Sequence, residues 1–162
     1  MKNNEYFEET EMQDYDKLLA FNAATHIFGE LIPIEGMKHY DASGYTIDGR
    51  GARIELKTRH NNLRTYDGLF IENHKIANLH LDYLAFDDEP LYLNFCDDGI
   101  ALFNLEQILT RPKINTFRTK SKGYQCVEYN SRNDLSLDDA TIYDNNYKLI
   151  QESEWKKRQK SL

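Results

Sequence analysis

At 162 residues the chain has room for one domain with a real core, and apolar residues make up 40% of it. No run approaches the roughly 18 apolar residues needed to span a bilayer, and the start, MKNNEYFEETEMQDYD, lacks the basic-then-apolar order of a secretion signal, so a soluble cytoplasmic protein is expected. The net charge of −7 opposes a nucleic-acid partner, but the basic residues gather at 50–64, 111–122 and 156–160, and a local basic face is enough to hold phosphates.

Residues 1–13 are polar and predicted to be frayed or loosely docked. Over 14–30, Leu18, Leu19, Phe21, Ala23, Ile27 and Phe28 recur at helical spacing, and Gly29 and Pro33 mark where that helix should stop. His26 reads as a core-edge or surface residue. Strands are predicted at 31–34, 41–47 and 52–59. The last two are joined by Asp48-Gly49-Arg50-Gly51, a hairpin signal because glycine permits positive φ. Along 52–59 the residues alternate. Ala52, Ile54, Leu56 and Thr58 share one face, and Arg53, Glu55, Lys57 and Arg59 share the other.

Residues 60–67 read as a loop, and 68–72 as a short strand or the first turn of a helix. Residues 73–81 read as helix through Ile76, Leu79 and Leu81, and 83–86 as a strand. Asp87-Asp88-Glu89-Pro90 turns the chain into a strand at 91–95. Asp97-Asp98-Gly99 makes a hairpin before 100–103, and Asn104 is placed to cap a short helix through 109, ended by Arg111-Pro112. Beyond it, 124–129 suggests an added strand, 135–140 a helical turn entered at Ser136, and 143–162 a terminal helix bearing Tyr147, Ile150 and Trp155. The expected fold class is α/β (α+β): a central mixed β-sheet flanked by helices, in a single domain over 1–162, with its core at 14–105 and C-terminal additions at 106–162.

Several chemistries are excluded. Cys96 and Cys126 are isolated, too few for a four-cysteine cluster, and read as ordinary thiols. Nothing brackets Ser43 or Cys96 with a positioned base, and no GxxxxGK[ST] loop occurs for ATP.

What remains is the stretch 41–57. Asp41 begins one strand of the hairpin and Glu55 lies on its neighbour, so the turn can bring both carboxylates to one edge of the sheet. The Leu56 carbonyl between Glu55 and Lys57 offers a third oxygen. Magnesium suits such a site, because it takes one or two carboxylates and keeps several waters. Lys57, on the Glu55 face, would lie near a metal-bound water whose pKa the ion lowers.

Asp41 within HYDASG, followed by Glu55-Leu56-Lys57 within RIELKTR, resembles the motif of the PD-(D/E)XK nuclease superfamily. The order helix, three-strand meander, helix, strand is similar to that family's core, over residues 14–105. The resemblance implies a restriction-endonuclease-like fold of αβββαβ order. It also implies a Mg2+-dependent phosphodiesterase, with Mn2+ as a substitute, in which Asp41, Glu55 and the Leu56 carbonyl bind metal and Lys57 assists the attacking water. No proline precedes Asp41. Of the acidic residues near the first helix, Glu30 and Glu35 are insecure matches to an extra ligand, and Lys75 is a counterpart of the Gln or Lys that many relatives carry on the following helix.

Around this site Arg59, His60, Arg64 and Lys75 are candidate phosphate contacts, and Tyr40, Tyr45 and Tyr66 are candidate stacking surfaces. The expected function is a small nuclease of bacterial or phage type acting on DNA, endo or exo, working as a homodimer and without a membrane partner. The alternative is a catalytically silent nuclease-fold module that binds nucleic acid or a protein. An RNA-processing enzyme would share the same site.

Overall fold

The computed structural model describes residues 2–34, 41–65, 68–108, 114–120, 127–153 and 156–157. Helix α1 (Lys2–Thr25) leads into an antiparallel meander of β1 (Phe28–Pro33), β2 (Ala42–Thr46) and β3 (Gly51–Thr58). The chain then crosses through β4 (Leu69–Glu72) and α2 (Asn73–Phe86) to β5 (Glu89–Cys96), which pairs parallel to β3. β6 (Gly99–Asn104) returns antiparallel to β5 and leads into the short α3 (Leu105–Ile108). β7 (Ile114–Lys120), β8 (Val127–Leu135), β9 (Thr141–Tyr143) and β10 (Leu149–Gln151) complete the described strands.

The main sheet has seven strands in the order β1-β2-β3-β5-β6-β9-β10, mixed as expected, and β4-β8-β7 form a second sheet. Apolar cores lie on both faces of the main sheet. Leu18 and Phe21 of α1 pack with Ala52, Ile54, Leu56, Leu93 and Tyr143 on one side. On the other, Ile76 and Leu79 of α2 pack with Tyr92, Phe103, Ile71 and Leu135. Among the described residues, no helix is long and apolar enough to cross a membrane.

The meander follows from local chemistry. Gly49 sits at φ 84°, where a side chain would be strained, and the Thr46 amide donates to the Arg50 carbonyl at 2.8 Å to close the hairpin. At Gly44 a Cβ would lie 2.4 Å from the Glu30 carbonyl oxygen, so only glycine lets β1 and β2 approach this closely.

Three expectations are corrected. The first helix begins at Lys2 and stops at Thr25, well before Gly29. His26 adopts φ 52°, its amide returns to the Asn22 carbonyl at 2.8 Å, and Asn22 Oδ1 accepts from the Phe28 amide at 2.8 Å. An αL residue with an asparagine behind it ends the helix as well as glycine does. Residues 83–86 continue α2 and do not form a strand. The helix runs on until Asp87 at φ 58° donates to the Tyr83 carbonyl. Residues 143–151 carry β9, a turn and β10 where a terminal helix was expected. Asp144 Oδ1 accepts from the amides of Asn146 and Lys148, which favours a turn over a helix. The helical turn entered at Ser136 is present as a 3-10 turn, Leu137–Asp139, whose Asp138 amide donates to Ser136 Oγ. The Asn104 cap is present too, its Oδ1 accepting from the Glu106 amide at 2.9 Å.

Candidate active site

β2 stops pairing with β3 at Ala42, opposite Ile54, and among the described residues no strand pairs with that edge of β3 beyond it. Asp41 spans the break. Its amide donates to the Ile54 carbonyl at 2.9 Å, and its Oδ2 accepts from the Leu56 amide at 2.8 Å. The N–H and C=O of a strand residue face the same edge, so the Leu56 carbonyl faces this gap while Arg59, three residues on, bonds to β5. Glu55 is 4% exposed, and its Oε1 accepts a hydrogen bond from the Lys75 ammonium in the first turn of α2. Asp41, Glu55 and the Leu56 carbonyl are thus brought together, and Lys75 joins them.

The electrostatics are those of two carboxyls taken out of water. Burial raises the Glu55 pKa to about 7, the nearby Asp41 charge adds to the rise, and Lys75 opposes it. Burial also raises Asp41, against the Leu56 amide bond and Lys75, which lower it; the charge of Asp14 adds to the rise, and a hydrogen bond with the Glu55 carboxyl lowers it. That last contact puts the two carboxyls within reach of each other. For Lys75, burial lowers the pKa, but the carboxylates of Glu55, Glu72 and Asp41 more than offset it, so its pKa lies above the ordinary value. Lys57 is half-buried on the Glu55 face of β3, and among the described residues neither carboxylate forms an ion pair with it.

The pattern of α1 held a signal that reading the apolar stripe alone missed. Asp14 lies four residues before Leu18 and seven before Phe21, on the same helical stripe. Its Oδ1 accepts from Thr58 Oγ1 at 2.6 Å, while Lys17 Nζ donates to the same hydroxyl at 2.8 Å. Asp14 is therefore the first-helix carboxylate whose charge reaches Asp41. Glu30 is exposed on β1, and Glu35, Tyr40, Tyr66 and Cys126 lie outside the described residues.

The outer candidates divide. Arg59 is committed to the protein: Nε donates to Asn94 Oδ1 at 2.9 Å, and one terminal nitrogen donates to the Phe70 carbonyl at 2.7 Å and to Tyr92 Oη at 3.0 Å. The guanidinium also lies 4.5 Å from the centre of the Phe70 ring. His60 and Arg64 are exposed beyond the end of β3. Tyr45 pairs with Gly51 at the turn end of the hairpin, about 13 Å along the strand from Asp41, and is not brought to the site. Beside Thr58 a cleft of about 260 Å3 is lined by Lys17, His60, Phe95, Cys96, Asn145 and Tyr147. Burial pushes the Cys96 thiol up to about 11, against the pull of Arg59, so it is no nucleophile at neutral pH.

No protein-family model matches the sequence, and no curated protein matches it. The fold does have a match among solved structures. Hjc, a Holliday junction resolvase from the archaeal hyperthermophile Archaeoglobus fulgidus, superposes with a TM-score of 0.50 at 14% identity, covering 79% of this chain and 86% of that one. The chain has the restriction-endonuclease-like fold. It is the fold of the PD-(D/E)XK nucleases, the superfamily that the sequence motif resembles. In this restriction-endonuclease-like fold Asp41 lies beside the β3 segment that carries Glu55, Leu56 and Lys57.

Among the described residues no group of three His, Cys, Asp or Glu side chains is arranged around a single ion. The donors present are two carboxyls and one main-chain carbonyl. That set fits a hard divalent cation that retains several waters, and the carboxyl pair already draws in the ammonium of Lys75.

Proposed function

We propose that the chain is a Mg2+-dependent nuclease that hydrolyses phosphodiester bonds, with DNA as its substrate. The observation that carries this reading is the half-buried Asp41 beside the buried Glu55 on β3, with the Leu56 amide bonded to Asp41 and Lys57 on the Glu55 face. The likeness to a fold used by a Holliday junction resolvase supports it.

In this mechanism Asp41, Glu55 and the Leu56 carbonyl would hold the ion. When bound, Mg2+ would lower the pKa of a coordinated water and offset the negative charge that builds on the phosphate. Lys57, on the Glu55 face but not paired with it, orients the attacking water and offsets negative charge at the phosphate. Asp14, through its hydrogen bond from Thr58, fixes the end of β3 against α1 and adds negative potential at Asp41. Lys17 and His60, on the adjoining cleft, are placed to receive a flanking phosphate.

The test incubates the protein with plasmid, linear and single-stranded DNA, and with RNA, in Mg2+, Mn2+ or EDTA. Cleavage is expected only with the ions, and Asp41→Ala and Lys57→Ala should each lower it by at least about a hundredfold, the scale of losing one transition-state contact. Cleavage that persists in EDTA or in both variants sinks the mechanism. Binding without cleavage of any substrate would favour a silent module, and cleavage of RNA alone would move the substrate class.

A further inference from the structure

Glu55 already has a cationic partner. The Lys75 ammonium donates to its Oε1, and 31% of the Lys75 side chain is exposed against 5% of Glu55. The backbone of Lys75 is fixed in the first turn of α2, while its four-carbon stem leaves the ammonium room to move. Two further positive charges placed between Asp41 and Glu55 would stand next to this ammonium, and like charges at that spacing repel. Glu55 cannot serve both cations well.

The geometry points to Lys75 as an exchangeable counter-ion. It holds Glu55 while no metal is bound, is displaced by a divalent cation, and then becomes available to a phosphate oxygen of the nucleic acid. The inference rests on the metal site proposed above. Its consequence is a coupling. A phosphate that takes up the Lys75 ammonium makes Glu55 a better ligand, and an ion that frees the ammonium makes the site a better phosphate binder; the two effects must be equal in free energy. Lys57 does not play this part, because it forms no ion pair with either carboxylate. Lys75 is on this account a positioning residue that links metal loading to substrate engagement.

The experiment titrates Mg2+ into the full metal-free chain by calorimetry, with and without a short duplex carrying non-hydrolysable phosphate linkages. Without DNA, Lys75→Met should bind Mg2+ at least about fivefold more tightly than the native protein, the lower end of ordinary coupling between sites, while Lys75→Arg stays near the native value. Adding the duplex should tighten Mg2+ binding in the native protein and do so less in Lys75→Met. A second set at about pH 8.5 keeps protons from replacing the lysine on Glu55, and Lys75→Gln serves as a second neutral variant. Equal or weaker Mg2+ binding in both neutral variants at both pH values overturns the inference. So does an arginine variant that shifts as far as the methionine one. If no nucleic acid is cleaved yet the neutral variants still bind Mg2+ more tightly, the nuclease reading fails and the counter-ion role stands. If no variant binds Mg2+, both fail.

Discussion

Glu55 is costly to the protein that carries it. Its folded pKa of about 7 lies above its ordinary 4.5, so between those values the folded state binds more protons than the unfolded one. Stability from this group is therefore present below pH 4.5 and lost as pH rises through 7, and Asp41, also raised, acts in the same sense. The full shift corresponds to at most about 3 kcal/mol. In urea unfolding of the metal-free chain, the native protein should lose up to that much between pH 5 and 8 relative to Glu55→Gln, which cannot titrate; parallel profiles would refute it. Mg2+ at pH 8 should restore part of the loss, because it binds the folded state. Arg59 makes the opposite case. Its sequence position suggested phosphate binding, yet its donors go to Asn94, Phe70 and Tyr92, with Asn94 fully buried. Arg59→Met should cost roughly 2–4 kcal/mol by urea denaturation, since it strands buried acceptors and removes a ring contact. A stable variant with much weaker DNA binding would return Arg59 to the phosphate contacts.

At the scale of elements, what was legible was local. Period-two alternation and the Asp-Gly turn marked β2 and β3, and the turn in turn placed Asp41 against Glu55. The misreadings share a cause, which is that pairing partners distant in sequence are invisible in a local pattern. Tyr83-Leu84-Ala85-Phe86 has strand-like composition, but it continues α2 to the αL stop at Asp87 and stays helical with Leu84 and Phe86 exposed. β4 joins β8 across more than fifty residues, and nothing in its four residues names that partner. Asp14 escapes an apolar-only pattern for a different reason: its carboxylate rides the same helical stripe as Leu18 and Phe21. The meander also makes Gly44 testable. A Cβ there meets the Glu30 backbone oxygen, which cannot swing away, so Gly44→Ala should destabilise by about 1–3 kcal/mol in thermal or urea unfolding. Because Asp41 leads directly into the same strand, Mg2+ affinity should fall with it. Unchanged stability would show that β1 can yield without loss.

At the scale of the molecule, the difficulty is that a chain of net charge −7 is asked to hold a polyanion. The described side chains able to help are few: Lys17, Lys57, Lys75, His60 and Arg64, around or beyond one end of β3. Facing them are Asp41, Glu55 and Asp14, which repel phosphate until a cation is bound. Under the proposed function DNA binding in EDTA should therefore be weak. It should also be limited by specific negative charges at the site more than by the distant acidic surface, which salt screens beyond roughly 8–10 Å. Glu55→Gln removes one of those charges without adding bulk, so in EDTA it should bind a short duplex severalfold more tightly than the native chain at about 50 mM salt, with the advantage shrinking toward 200 mM. About three to five phosphate contacts would give a slope of log K against log salt near −3 to −4.5, steeper for Glu55→Gln than for the native chain. Fluorescence anisotropy over that range measures both quantities. A salt-independent ratio would place the gain outside electrostatics. A native protein that binds as well as Glu55→Gln in EDTA would mean that the bound phosphates lie away from the carboxyl pair.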